Sequence, residues 1–108
     1  DANYNAKNRE SSSSVVKVKT EPLRDLLDQH LPQDTTVDFL SVDCEGHDLI
    51  VLKSNDWDRF RPRVILAEDH DEGINSELHQ YILSLGYKFY CKVGLTSFFA
   101  EPHEACFL

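Results

Sequence analysis

Methionine is absent from this 108-residue chain, so the sequence does not start at an ordinary initiator and is expected to be a processed product or an excerpt from a longer protein. Glycine and proline are scarce, at four residues each, and with 41% hydrophobic and 28% charged residues the composition is that of one small soluble globular domain. Positive charge is thin. Eleven Lys and Arg stand against nineteen Asp and Glu, a formal charge of -8 with no basic cluster, which argues against a nucleic-acid partner and against an anionic membrane surface. No apolar run approaches the ~20 residues of a membrane span, and no charged-then-apolar leader precedes the first element. Only three cysteines occur, Cys44, Cys91 and Cys106, an odd number with no C-x-x-C pair and no histidines at zinc spacing. They read as reduced thiols in a reducing, cytoplasmic compartment. Cys44 has acidic neighbours, which disfavour the thiolate that a nucleophile needs.

Glycine-rich turns are missing as well. Gly46, Gly73, Gly86 and Gly94 are scattered, no G-x-G strand-to-helix turn occurs, and no strand ends in an acid suited to holding an adenosine ribose. What the chain does have is the run Val37 to Trp57, VDFLSVDCEGHDLIVLKSNDW, a buried-strand pattern that ends in an acidic turn and passes into a helix. In an open α/β sheet ligands sit at the carboxyl ends of strands, so this turn is the first place to look for chemistry.

Around it the organisation reads as follows. Residues 1–14 are polar and aperiodic, a loop-like lead-in, and the domain proper runs from 15 to 108. Val15, Val16 and Val18, interleaved with Lys17 and Lys19, predict a short strand; Thr20 is placed to cap a helix carrying Pro22 in its first turn and Leu23, Leu26, Leu27 and Leu31 on one face, stopped by Pro32. Val37 to Val42 predicts a strand covered on both faces, followed by a helix from near Gly46. Arg63 to Glu68 repeats the pattern and ends in Glu68-Asp69-His70-Asp71. Ile74, Leu78, Tyr81, Ile82 and Leu85 then mark a helix with Gly86 at its C-cap. Tyr87 to Val93 and Ser97 to Ala100, joined by Gly94-Leu95-Thr96, predict a hairpin. Most of the aromatics, Trp57, Phe60, Phe89, Tyr90, Phe98 and Phe99, suit core or hairpin packing.

Because strands joined by right-handed crossovers lie near one another, Asp43, Glu45 and His47 should share one sheet edge with Glu68, Asp69 and His70. Crowded carboxylates raise one another's pKa and can supply a general base, or they can hold a divalent cation. They can equally be helix-terminal residues favoured by free N–H groups and the helix dipole.

The stretch DFLSVDCEGHDLIVLKS resembles the signature of the FkbM-type methyltransferase family, a strand followed by Asp-x-Glu-Gly-x-acid and a Leu-rich helix. Thr20 to Leu27 resembles that family's Thr-Leu-Asp-Asp-Leu-Leu helix start, Arg61 to Glu68 its next strand, and Leu85-Gly86-Tyr87 the lead into its closing hairpin, so that the likeness covers Val15 to Ala100. Ser54 stands where the family often has Gly, Cys44 where it has Val, and Thr96 near a common Asn.

The resemblance implies an α/β, partial Rossmann-like class I methyltransferase fold, with a mostly parallel sheet ending in an antiparallel hairpin. It implies transfer of methyl from S-adenosylmethionine to a hydroxyl oxygen, with a small-molecule or glycan- or lipid-linked acceptor. Asp43 is then the base, Glu45 a positioning carboxylate and His47 a further catalytic candidate, while Glu68 and His70 line the substrate side. In this family the Gly-rich elements precede such a segment, so the chain reads as the carboxyl-terminal half of the catalytic domain, inactive alone. An open sheet edge would then favour homo-oligomers. Two other readings stand beside this one: a metal site of Asp43, Glu45, Asp69 and His70, and a noncatalytic module whose acidic surface takes a basic partner.

Overall fold

The computed structural model describes residues 13–70 and 76–102. The greater part of the polar lead-in, the predicted helix residue Ile74, Asp71, Gly73 and Cys106 lie outside the described residues.

Among the described residues, three helices and four strands make a mixed α/β unit: α1 (Leu23–His30), β1 (Phe39–Val42), α2 (Asp48–Lys53), β2 (Val64–Glu68), α3 (Glu77–Ser84), β3 (Lys88–Val93) and β4 (Thr96–Ala100). The sheet order is β1-β2-β4-β3. β1 and β2 are parallel, joined by the α2 crossover, and Val42 pairs with Ala67 at the last rung. β4 runs antiparallel to both β2 and β3. The expectation of a mostly parallel sheet is therefore corrected: one pair of three is parallel. The reason lies in the hairpin, whose two-residue link Gly94-Leu95 reverses the chain and slots β4 beside β2 instead of extending the sheet outward.

The predicted strand at Val15 to Lys19 does not form. Its alternation fits a pleated surface, but that preference is realised only against a neighbouring strand, and Val15, Val16 and Val18 are 96%, 74% and 77% exposed. Thr20 does not cap α1 either. Pro22 is the N-cap, without a side-chain hydrogen bond, and the Leu23 N–H donates instead to Ser54 Oγ at 2.8 Å. Ser54 donates its hydroxyl proton to Val51 O at 2.6 Å, and its carbonyl accepts from the Arg24 backbone N–H and from Arg24 Nη1. One serine at the end of α2 thus holds the start of α1. α2 begins at Asp48, two residues beyond the expected Gly46, because Glu45 and Gly46 are in the left-handed region at φ 48° and 87°.

The core sits between the sheet and helices α2 and α3. Val42, Leu52, Ile65, Ala67, Leu78, Ile82, Tyr87 and Phe99 form one buried cluster, with Leu40, Trp57 and Phe89 against it. β1 is not covered on both faces as its apolar run predicts: Leu40 and Val42 point inward, whereas Ser41 is exposed and Phe39 is 65% exposed. The helix before the hairpin closes as expected, with Leu85 as C-cap and Gly86 following at φ 96°, where an added Cβ would lie 3.1 Å from Arg61 Nη2.

His79 lies in this core, 4% exposed, with ring centroids 4.8 Å from Phe89 and 5.2 Å from Phe99. Burial pulls its imidazole below the ordinary value of 6.5; the Asp69 charge works against that and the Lys92 charge with it. A group whose folded pKa is depressed adds stability above its unfolded pKa and loses it as the pH falls. Urea denaturation is therefore expected to show stability declining as the pH drops below about 6.5, by a step that His79→Gln abolishes. An equal acid step in that variant would show that His79 is not its source.

Candidate functional site

The site begins where the β1–β2 ladder stops. Val42 pairs with Ala67 at the last rung, so Asp43, the first residue past β1, and Glu68, the last residue of β2, which still pairs with Thr96 of β4, stand at the same carboxyl edge. The hydrogen bond to Asp43, with burial and the charges of Asp43 and Glu45 in the same direction, holds the Glu68 carboxyl above the usual carboxylate range; only His70 opposes this. His70 Nε2 stands 3.4 Å from Glu68 Oε1. The raised pKa means that folding favours Glu68 protonated, a contribution present below its unfolded value of 4.5 and lost as the pH rises through the folded one.

The β1–α2 turn is fixed by Asp48, the acid that closes the Asp-x-Glu-Gly-x-acid signature and to which the sequence reading gave no role. Its side chain is buried, 3% exposed; Oδ1 accepts the Cys44 N–H at 2.7 Å and Oδ2 the Glu68 N–H at 2.9 Å. The available signal was a carboxylate two residues after Gly46, in the first turn of a helix.

Asp69 follows Glu68 at the acidic edge, but its carboxylate is turned to Ser76. It is 5% exposed and accepts the Ser76 hydroxyl proton. Its backbone N–H donates to Leu95 O at 2.8 Å, and its carbonyl accepts from Lys92 Nζ at 3.0 Å. Asp69 is therefore a brace between the end of β2, the start of α3 and the hairpin tip, and it holds its neighbour Glu68 in place. Among the described residues no group of three or more His, Cys, Asp and Glu side chains is disposed to hold a metal ion. The set Asp43, Glu45, Asp69 and His70 is not assembled, because Asp69 is turned to Ser76.

Beside the carboxylates lies an open cleft of about 240 Å³ lined by Gly46, Asp48, Leu49, Glu68, Asp69, His70, Glu77 and Leu78. Glu68 and His70, expected on the substrate side, do line a cavity. Asp43 and Glu45 are exposed residues of the turn beside it. His47 is exposed at the N-cap of α2, makes no side-chain capping hydrogen bond and does not line the cleft. Cys44 and Cys91 are exposed free thiols.

Chemically, the edge offers a carboxylate able to accept a proton and a second carboxyl held beside it. A wall of the cleft can accept hydrogen bonds from hydroxyl groups. Among the described residues no helix is long and apolar enough to cross a membrane.

No curated protein and no solved structure matches the chain. A family model, the methyltransferase FkbM domain, matches residues 2–89, a span that contains α1 to α3, the acidic turns after β1 and β2, and β1 and β2 complete. By that match the chain belongs to the FkbM methyltransferase family.

Proposed function

We propose that this chain is the acidic, substrate-side part of an S-adenosylmethionine-dependent methyltransferase that methylates a hydroxyl oxygen. The observation that carries the reading is the contact between Asp43 and Glu68 at the carboxyl edge of two parallel strands, in a chain of this family. When bound, S-adenosylmethionine supplies an already activated methyl group on a positively charged sulfur. The acidic edge fits that positive charge, which relieves the repulsion between the two carboxyl groups. The Gly-rich turn that would cradle the nucleotide has no counterpart in these 108 residues, and we place it outside them.

Asp43 takes the hydroxyl proton as the oxygen attacks. Glu45 orients the turn, and Glu68 and His70 accept and donate hydrogen bonds to the acceptor in the cleft. His47, exposed beside them, is the least supported member of the set. The test is a transfer assay with labelled S-adenosylmethionine on the complete domain and a panel of sugars, glycolipids and small alcohols. A methyl ether is the expected product, and methylation confined to amines or carboxylates would refute the hydroxyl assignment.

The partners we propose are small-molecule or glycan- or lipid-linked hydroxyl compounds, with no nucleic acid, in a reducing cytoplasmic setting that suits the exposed thiols of Cys44 and Cys91. We also propose that the outer edge of β1, with Phe39 beside it, docks a second copy of the isolated chain. The valine-lysine run at Val15 to Lys19 offers a strand-like, basic segment to an edge flanked by Asp38, Asp43 and Glu45. Sedimentation should show mass rising with concentration, less so for Phe39→Lys. A strictly monomeric chain at high concentration would sink this.

A further inference from the structure

We propose that Asp48 is the positioning residue of this site: its carboxylate ties the β1–α2 turn to the end of β2 and so sets Asp43 against Glu68. The functional meaning of the proposal rests on the methyl-transfer reading, whereas its geometry does not.

A carboxylate in the first turn of a helix ordinarily accepts N–H groups of that same helix. Asp48 instead reaches outward in two directions. Oδ1 takes the N–H of Cys44, between Asp43 and Glu45, and Oδ2 the N–H of Glu68, twenty residues away. The backbone ladder between β1 and β2 ends at Val42 and Ala67. Past that rung Asp48 continues the connection, one oxygen to the N–H just beyond β1 and one to the N–H of the last residue of β2, and it is itself 3% exposed. The left-handed backbone at Glu45 and Gly46 carries the chain from Cys44 around to the start of α2, bringing Asp48 back to it.

Asp48 meets Glu68 only through the backbone N–H. The charges that act on the Glu68 carboxyl are those of Asp43 and Glu45, from the β1–α2 turn, and His70, from its own turn. Asp48→Asn therefore tests the position of Glu68 against Asp43, and the double variant with Asp43→Asn separates that from the direct loss of a negative charge. Asp48→Asn retains shape but has one accepting oxygen, so one of the two N–H groups loses its partner.

The experiment is carboxyl titration of the 108-residue chain by NMR, for the parent, Asp43→Asn, Asp48→Asn and the double variant. In the parent, Glu68 should titrate above the usual carboxylate range and move down on Asp43→Asn. In Asp48→Asn it should already lie lower, and adding Asp43→Asn should shift it no further. Ser54→Ala, which loosens α1 on the far side of α2, serves as the control that lowers stability without moving Glu68. Full retention of the Asp43 effect in Asp48→Asn, or an equal loss in Ser54→Ala, overturns the proposal. A measurement on the parent guards against a variant that fails to fold: the Cys44 and Glu68 amide protons should both follow the titration of Asp48. Amide shifts indifferent to Asp48 would also overturn it. No cofactor or acceptor enters these titrations, so failure of the clamp and failure of the methyl-transfer reading are separable.

Discussion

Replacing Phe99 by alanine is expected to remove about 3–5 kcal/mol of folding stability, the range for deleting a fully buried aromatic ring. Phe99 has no exposed surface and lies in β4, which is hydrogen-bonded to strands on both sides, opposite Ile65 of β2 and Phe89 of β3. Its ring centroid stands 5.6 Å from that of Phe89 and 5.2 Å from that of His79, so truncation strips contacts from both and opens a void that rigid neighbours fill only in part. Native domains have only about 5–15 kcal/mol in total, and a chain of this size should be left barely folded. Phe39→Ala is the comparison. That ring is 65% exposed on the outermost strand, and its loss should change stability by no more than about 0.5 kcal/mol. Urea denaturation of both variants decides the matter; a Phe99→Ala cost no larger than that of Phe39→Ala would mean that the core is not centred on β4.

Asp43→Asn in the complete domain is expected to lower turnover about 10²–10⁴-fold, the usual contribution of a positioned general base. Asparagine keeps the shape and can still hydrogen-bond to Glu68, but it cannot take the hydroxyl proton. Affinity for S-adenosylmethionine should change little by comparison, since the loss falls on the transition state. The same change removes the partner that holds Glu68 above the usual carboxylate range, so the acid limb of the rate profile should shift toward lower pH with it. Transfer rates and calorimetric binding measured side by side separate these effects. Unchanged turnover in Asp43→Asn would remove Asp43 from the chemistry.

Much of this arrangement could be read along the chain, and the failures share a cause. The apolar runs at Val37 to Val42 and Val64 to Ala67 became β1 and β2, and Leu78 and Ile82 became the buried stripe of α3, because these patterns record burial directly. The meeting of Asp43 with Glu68 followed from the rule that crossover-linked strands are neighbours. What periodicity does not encode is partnership. Val15 to Lys19 alternates like a strand yet pairs with none among the described residues, and Phe39 is as apolar as Leu40 but faces outward on an edge. The fates of the carboxylates were hidden for the same reason. Asp48, Asp69 and Glu68 are alike in sequence, and only contacts with distant N–H and hydroxyl groups turn the first two into braces. Ser54, a departure from the glycine that the resemblance led one to expect, gave no hint that it would receive the first N–H of α1.

The most direct measurement is a calorimetric titration of S-adenosylmethionine, to millimolar ligand, into this 108-residue chain and into the complete domain that contains it. One-site binding by the complete domain with no saturable heat from the shorter chain is the predicted result, since the proposal gives the acidic edge to the site and places the nucleotide cradle outside these residues. Saturable one-site binding to the 108 residues alone would contradict that division, and no binding by the complete domain would contradict the methyl-transfer reading itself.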